Sequence, residues 1–152
     1  MNKVYRLTQE GHKALKAELD ELVAARPVMA ERIKTAREFG DLSENAEYQS
    51  ARDEQSKNEA RIEEIEGVLA NAKVLSKSAS GSKVELGSYV KLKNDGKTKQ
   101  FQVVSTVEAN PLSGKISDES PLGQALLGKA VGDSVEIATP TETTTYSVTE
   151  IF

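Results

Sequence analysis

Two stretches of the chain carry apolar residues at steps of three and four, and this spacing constrains the fold most. The first runs from Thr8 to about Phe39 and the second from about Asn45 to Val74. Such steps place apolar side chains on one narrow stripe of a helix, the pattern of a coiled-coil seam. If the chain turns back at residues 41–44, the two stripes face each other in an antiparallel hairpin. The first stripe is formed by Leu15, Leu19, Leu22, Met29, Ile33 and Ala36, and the second by Tyr48, Ala51, Gln55, Asn58, Ile62, Ile65, Leu69 and Ala72.

The first helix of this hairpin has a recognisable start and an expected break. Thr8 is a plausible N-cap, although Gly11 stands three residues on, where a capping box would place Glu or Gln. Pro27 lacks an amide donor and its ring clashes one turn back, which predicts a kink near residues 25–26. About 30 residues in a helix span roughly 45 Å, far more than a small core needs.

The pattern changes after a small, polar segment, Ser-Lys-Ser-Ala-Ser-Gly-Ser-Lys at 76–83, which is typical of a linker. Apolar residues then alternate with a period of two, as in strands, and Asn94-Asp95-Gly96 is a strong hairpin signal. Ser120 followed by Pro121 begins one short helix that Gly128 closes. The sequence therefore predicts an α+β chain: a helical hairpin at 1–75, a linker at 76–83 and a small α+β domain at 84–152.

Composition excludes several classes of function. The chain has no cysteine and one histidine, His12, so disulfides, thiolate zinc sites and Ser/His/Asp hydrolysis have little support. Residues 1–80 carry 13 Lys and Arg against 15 Asp and Glu, and residues 81–152 carry 7 against 9. Neither half has the basic character of a protein that binds nucleic acid unaided. With no apolar run of membrane length and no signal peptide, we expect a soluble, cytoplasmic protein without a membrane partner.

The turn between the two helices holds Asp41 and Glu44, whose spacing has two interpretations. Asp41 followed three residues later by Glu44 fits a capping box that begins the second helix. Two carboxylates on the first turn at the end of a rod also suit a hard cation such as Mg²⁺, which takes one or two carboxylates and completes its shell elsewhere. Such a metal site would be incomplete without a partner.

Basic residues lie just behind this turn on both helices. Lys34, Arg37, Arg52 and Lys57 fall on the distal part of the hairpin, and Arg37 and Arg52 are the two that we expect to contact a phosphate backbone. Most charges on a long helix are simply solvated, and that interpretation stays open for each residue. Tyr48 fits a residue of the apolar stripe better than a base-stacking platform.

These residues resemble the Gre-type bacterial transcript cleavage factors, and among them the GreA branch. The most specific match is Gly-Asp-Leu-Ser-Glu-Asn-Ala-Glu-Tyr at 40–48, supported by Ala-Arg-Glu-Phe-Gly before it. In the second domain, residues 116–137 are similar to the family segment that contains Ser-Pro and Ala-Leu-Leu-Gly-Lys. The resemblance covers essentially the whole chain.

The resemblance implies an N-terminal antiparallel coiled coil and a C-terminal domain like the FK506-binding-protein fold. It further implies a factor that binds bacterial RNA polymerase, inserts the coiled coil into the secondary channel and stimulates cleavage of the nascent RNA 3′ end in backtracked complexes. Polymerase, and not the factor, would be the enzyme. It would hydrolyse the RNA phosphodiester by a two-metal mechanism, with the Mg²⁺ contributed mainly by polymerase. By the same resemblance Asp41 and Glu44 are the catalytic, metal-holding acids, Arg37 and Arg52 the RNA-binding patch, and Glu119, Ser120 and Pro121 the polymerase-docking segment.

Departures from the family pattern leave alternatives. Residues 140–148 replace a glycine-bearing turn, so we expect a longer or differently shaped last hairpin. A passive channel-binding regulator that does not stimulate cleavage is the main alternative function. A peptidyl-prolyl isomerase has weak support, because only Tyr89, Phe101, Tyr146 and Phe152 are available to line its pocket. We expect the protein to be a monomer.

Overall fold

A computed structural model describes residues 3–40, 45–76, 82–138 and 140–152. The chain divides into two compact units: Met1–Val4 with His12–Ala72, and Tyr5–Gly11 with Lys73–Phe152. Most of the predicted linker lies outside the described residues, and the predicted domain limits stay predictions. None of the helices in the described ranges combines the length and the hydropathy needed to cross a membrane.

The first unit is built from helices, with a break where the sequence predicted one. Helix α1 spans Gln9–Ala24, α2 spans Arg26–Arg37 and α3 spans Ala46–Ala70. Ala25 separates α1 from α2, and Pro27 lies in the first turn of α2, where a missing amide donor is tolerated. The backbone N–H of Ala25 still donates to the carbonyl of Glu21, and that of Met29 to the carbonyl of Ala25, each at 3.0 Å. The predicted kink is confirmed as a short interruption of a helical path.

The predicted apolar stripes form the core of this unit. Ile33, Ala36 and Ala51 are buried, as are Ile62 and Ile65, and the polar stripe residues Gln55 and Asn58 are half-buried. Val68, which the spacing analysis left out, is buried as well. Packing of α2 against α3 along these stripes confirms the helical hairpin.

Helix α3 begins differently from the capping-box interpretation. Its N-cap is Asn45, whose Oδ1 accepts a hydrogen bond from the backbone N–H of Tyr48 at 3.0 Å. The Nδ2 of the same side chain donates to the carbonyl of Ala36 at 2.7 Å, so one amide joins the end of α2 to the start of α3. The interpretation that Asp41 caps this helix and Glu44 closes its box is therefore wrong, because the helix starts four residues later.

The second unit contains a five-stranded sheet and a short helix, which confirms the predicted α+β class. The sheet has the order β5-β4-β3-β7-β6, in which β4 and β5 are parallel and the other neighbours antiparallel. A separate two-stranded sheet pairs β1 with β2. The elements are β1 Tyr5–Leu7, β2 Ala72–Val74, β3 Tyr89–Asn94, β4 Lys97–Val104, β5 Lys115–Ser117, α4 Pro121–Leu126, β6 Ser134–Ala138 and β7 Thr143–Ile151.

Turn chemistry in this unit follows the sequence. Asp95 and Gly96 both have positive φ, 50° and 77°, as a type I′ turn between antiparallel strands requires. Strand β6 pairs with β7 as far as Ala138 opposite Thr143, and the described part of their connection is residues 140–142. The core beneath the sheet is formed by Val84, Val90, Leu92, Val103, Leu126, Val135, Val148 and Ile151.

The start of α1 is capped by residues far apart in sequence. Thr8 Oγ1 accepts from the backbone N–H of Gly11 at 3.0 Å, which confirms Thr8 as the N-cap. The Glu108 carboxylate accepts two hydrogen bonds from Thr8, one from its backbone N–H at 2.8 Å and one from its hydroxyl at 2.6 Å. In a capping box a glutamate at the position of Gly11 would bind that backbone N–H. Here Glu108, 100 residues along the chain, replaces it.

Candidate functional site

The candidate site is the distal end of the hairpin, where α2 ends and α3 begins. Asp41 and Glu44, the predicted catalytic and metal-holding acids, lie outside the described residues, so their roles stay predictions. The described chain reaches Gly40 on one side, with φ at 123°, and resumes at Asn45. A positive φ of this size favours glycine, so Gly40 permits the chain to leave α2 sharply.

A basic and aromatic surface lies next to this turn. The guanidinium of Arg37, at the end of α2, lies 5.9 Å from the centroid of the Tyr48 ring, within the range of a cation–π contact. Arg52 is four residues after Tyr48 on α3, so both project from the same side of that helix. We call Arg37, Tyr48 and Arg52 the basic flank of the hairpin. The structure thus places Arg37 over the Tyr48 ring and Arg52 about one helical turn further along α3.

Other arginines of the hairpin are occupied by carboxylates. Arg61 binds Glu18 through two hydrogen bonds of 2.7 and 2.9 Å and also contacts Glu64 at 3.2 Å. Arg26 likewise forms a bidentate pair with Glu59, through hydrogen bonds of 2.9 and 3.0 Å. Paired guanidinium and carboxylate groups neutralise one another and have few donors left for a phosphate.

The ionisation of these pairs follows from their geometry. The hydrogen bond from Arg61 lowers the pKa of Glu18, and the same bond raises the pKa of Arg61. The hydrogen bond from Arg26 likewise lowers the pKa of Glu59. Each arginine therefore favours the ionised form of its carboxylate partner.

The distal cations differ from those pairs. Among the residues that the structure describes, Lys34, Arg37, Arg52 and Lys57 form no ion pair, whereas Arg32 pairs with Glu54 and Glu47. Of the arginines on α1, α2 and α3, Arg37 and Arg52 near the turn are thus the two without an ion pair to a described residue, although the lysines Lys13 and Lys16 on α1 form none either. Sequence analysis selected Arg37, and the structure adds the ion pairs that occupy Arg32 on the other side of the buried stripe.

The opposite side of the stripe carries a shallow apolar groove. Val28 and Phe39 on α2 line it, and their side chains are 70% and 79% exposed. The remaining lining residues are Pro27, Glu31, Arg32, Thr35, Ala36 and Glu47. Sequence analysis missed this groove, although Val28 and Phe39 were visible as large apolar residues that did not fit the stripe.

The predicted docking segment, Glu119 to Pro121, lies at the start of α4 in the second unit. The hydroxyl of Ser120 accepts from the backbone N–H of Gly123 at 3.1 Å and donates to the carbonyl of Ser117 at 2.6 Å, so this side chain serves as the N-cap. Glu119 accepts from Thr106 Oγ1 at 3.0 Å, and Glu119 and Pro121 are exposed. Of the three residues, Glu119 and Pro121 are therefore the two with exposed side chains, and their role in docking stays a prediction.

The aromatic side chains of the second unit do not converge on a pocket. Tyr89 and Phe152 stack on each other with ring centroids 5.5 Å apart. Phe101 and Tyr146 pack against the apolar core. This arrangement gives no support to the isomerase alternative, which requires an aromatic-lined cavity.

The described residues contain no group of three or more His, Asp or Glu side chains able to hold a metal ion. We call residues Gly40 to Tyr48 the tip sequence. Its acids provide carboxylate oxygens only, which suit Mg²⁺ better than zinc or copper. Two carboxylates fit a shared ion, since Mg²⁺ is usually held by one or two carboxylates together with other ligands.

Comparisons with known proteins agree with this architecture. A family model described as transcription elongation factor, N-terminal, matches residues 5–74, and one described as transcription elongation factor, GreA/GreB, C-terminal, matches residues 79–152. The chain therefore belongs to the GreA/GreB family of transcription elongation factors, as the resemblance indicated.

Individual relatives carry the GreA name. Transcription elongation factor GreA of Thermotoga neapolitana is 46% identical over 99% of this chain and 98% of its own length. GreA of Mycoplasma capricolum is 48% identical over 90% of each chain. Among solved structures, the GreA factor homolog 1 of Thermus thermophilus is 33% identical, covers 99% of both chains and has a TM-score of 0.46.

Proposed function

We propose that this elongation factor binds bacterial RNA polymerase, inserts the helical hairpin into its secondary channel and stimulates the polymerase to cleave the nascent RNA 3′ end. Cleavage in backtracked or arrested complexes would let elongation resume. The observation that carries the proposal is the tip sequence, Gly40 to Tyr48, joined to a hairpin whose unpaired cations lie next to it. The factor would work in the cytoplasm, where bacterial polymerase acts.

The acids of the tip have the central role. Asp41 and Glu44 would hold a Mg²⁺ ion together with polymerase. That ion supplies charge stabilisation and an activated water for phosphodiester hydrolysis. Because two carboxylates make only part of a metal site, the factor alone would bind the ion weakly and have no nuclease activity of its own.

The basic flank would hold the RNA. Arg37 lies over the Tyr48 ring, Arg52 follows about one turn later on α3, and both arginines are exposed. Guanidinium groups bind phosphate oxygens through paired hydrogen bonds, and those of Arg37 and Arg52 are not engaged by carboxylates in the described part of the chain. The RNA 3′ segment would thus be steered toward the acids by residues only a few positions away from them.

The second unit would provide the docking contact. Glu119 and Pro121 are exposed at the start of α4, and the Ser120 hydroxyl fixes the backbone between them. Docking through this unit would leave the tip acids free for polymerase and RNA. The near-even charge of both halves of the chain fits a factor that reaches RNA through a protein partner.

An amide substitution tests the role of the acids. Asp41→Asn removes the charge that a metal needs, and it leaves the cap of α3 untouched because that cap is Asn45. We expect transcript cleavage in backtracked complexes to fall to the level without factor, with unchanged melting and unchanged polymerase binding. Glu38→Gln, which removes an exposed acid at the end of α2, is the matched control and should cleave like wild type.

Retained cleavage by Asp41→Asn at the wild-type rate would exclude that carboxylate from the chemistry. If wild-type protein binds polymerase and changes its elongation without releasing RNA fragments, the factor is a passive regulator of the channel and the proposal is wrong.

A further inference from the structure

The two sides of the hairpin differ in chemistry near the turn. One side is the basic flank of Arg37, Tyr48 and Arg52. The other carries the groove lined by Val28 and Phe39, with a volume of about 730 Å³. We call Val28, Thr35, Phe39 and their groove the apolar flank.

Helix geometry places these flanks on opposite sides of the buried stripe. Successive residues of an α-helix are rotated by about 100°, so Val28, Thr35 and Phe39 share one side of α2. Arg37 lies on the other side of the line through the buried Ile33 and Ala36. On α3, Glu47 lines the groove, whereas Tyr48 contacts Arg37. A single ligand strand cannot contact both flanks without crossing a helix.

The charges of the groove disfavour RNA. Its single arginine, Arg32, is paired with Glu54 and lies 3.7 Å from Glu47. Glu31 forms no ion pair with any described residue, and the Glu47 side chain is 69% exposed. A phosphate backbone would therefore meet carboxylates without a free cation to offset them.

The apolar content of the groove favours a protein surface. Val28 and Phe39 are among the most exposed large apolar side chains of the hairpin. Val28 and Phe39 lie about three helical turns apart along the same groove, and exposed apolar residues rimmed by charges are typical of interaction sites. A partner with an apolar projection and a neighbouring Lys or Arg would cover the side chains and pair with Glu31 or Glu47.

We propose that the apolar flank binds a protein surface of RNA polymerase, apolar at its centre and basic at its edge, while the basic flank faces the RNA. This inference rests on the proposed function and adds the rotational orientation of the hairpin within the channel. The apolar contact fixes which side of the rod meets protein, and Arg37 and Arg52 then face the transcript.

The test is a competition for core polymerase without nucleic acid, in which unlabelled variants displace labelled wild-type factor. The double variant Val28→Ser/Phe39→Ser should compete about tenfold more weakly, since truncating an aromatic anchor of an interface commonly costs at least that factor. Val23→Ser is the matched control: Val23 is 41% exposed on α1 and does not line the groove. It should compete like wild type. Far-UV circular dichroism of all three proteins checks that the helices are retained.

Each other outcome overturns the inference in a recognisable way. Equal competition by the double variant and Val23→Ser would show that the groove contacts nothing in polymerase. A loss of affinity seen only in complexes with backtracked RNA would assign the groove to RNA, and loss of a dimer in sedimentation would assign it to a second copy. The wild-type factor could fail to stimulate cleavage while the double variant still competes tenfold more weakly. That combination would refute the proposed function but support the contact between the groove and polymerase. If wild-type factor does not compete at all, both are wrong.

Discussion

Gly11 and Glu108 provide a sharp test of the capping arrangement at the start of α1. Gly11 lies in the first turn of that helix, where alanine would ordinarily stabilise by about 1 kcal/mol. In this chain, however, a Cβ at Gly11 would overlap three Glu108 side-chain atoms, so the carboxylate would have to leave. The stabilising and destabilising effects of Gly11→Ala therefore oppose each other.

The magnitude follows from the two hydrogen bonds that Glu108 accepts from Thr8, at 2.8 and 2.6 Å. Thr8 is buried, so both donors lose a partner without gaining full access to water. Loss of these two bonds to a partly buried carboxylate costs roughly 2–3 kcal/mol. Gly11→Ala should therefore destabilise by about 1–2 kcal/mol, after the helix-forming gain of alanine is subtracted.

The decisive measurement is a double-mutant cycle. The free energy of unfolding is measured in urea at pH 7 for wild type, Gly11→Ala, Glu108→Ala and the double variant. In the Glu108→Ala background no carboxylate remains to be displaced, so Gly11→Ala should become stabilising by about 1 kcal/mol. A change of sign between the two backgrounds is the prediction. Equal effects of Gly11→Ala in both backgrounds would refute the account, because Gly11 and Glu108 would then be independent.

Three further predictions concern pairs and caps. Because Arg61 lowers the folded-state pKa of Glu18 below its ordinary 4.5, the pair stabilises the protein above that pH and loses its effect as pH falls through the lowered pKa. The urea midpoints of wild type and Glu18→Gln should therefore differ at pH 7 and converge as the pH falls below 4.5 and through the lowered pKa of Glu18; a constant difference would contradict this. Asn45→Asp keeps the cap of α3 but loses the donor to Ala36, so it should lower stability by about 1 kcal/mol, and melting equal to wild type would show that the bridge contributes nothing. Ser120→Ala should cost about 1 kcal/mol in thermal unfolding, whereas Ser120→Asp, which keeps a capping oxygen, should cost much less; equal losses would argue against the cap.

Much of the fold could be predicted because it depends on local rules. Steps of three and four defined the buried stripes, Pro27 defined the break, and Asp95-Gly96 defined the turn between β3 and β4. In each case one or two neighbouring residues determine the backbone conformation without help from distant parts of the chain. The same is true of the cap at Ser120.

Features that depend on distant residues could not be predicted. Glu108 completes the cap of Thr8 from 100 residues away, and no spacing rule connects the two. The cap of α3 was misassigned because Asp41 and Glu44 have the capping-box spacing, whereas the choice of Asn45 depends on a bond to Ala36 in the other helix. The separation of paired from unpaired arginines likewise depends on the register of α2 against α3.

Sequence analysis predicted several residues of the candidate site, but it did not predict the surfaces that those residues form. Arg37 and Arg52 were selected from sequence, and the structure adds the contact between Arg37 and the Tyr48 ring. The apolar flank was missed because Val28 and Phe39 are single apolar residues in sequence and become one groove only when α2 packs against α3.

The central claim, that this factor stimulates transcript cleavage, is tested most directly with backtracked elongation complexes whose RNA is labelled at the 3′ end. Addition of wild-type factor with Mg²⁺ should release short 3′ RNA fragments and restart elongation when nucleotides are supplied, whereas Asp41→Asn and Glu44→Gln should release no more than complexes without factor. If polymerase binding is retained and no fragments appear with wild-type factor, or if both amide variants release them as fast as wild type, the account of the tip is wrong.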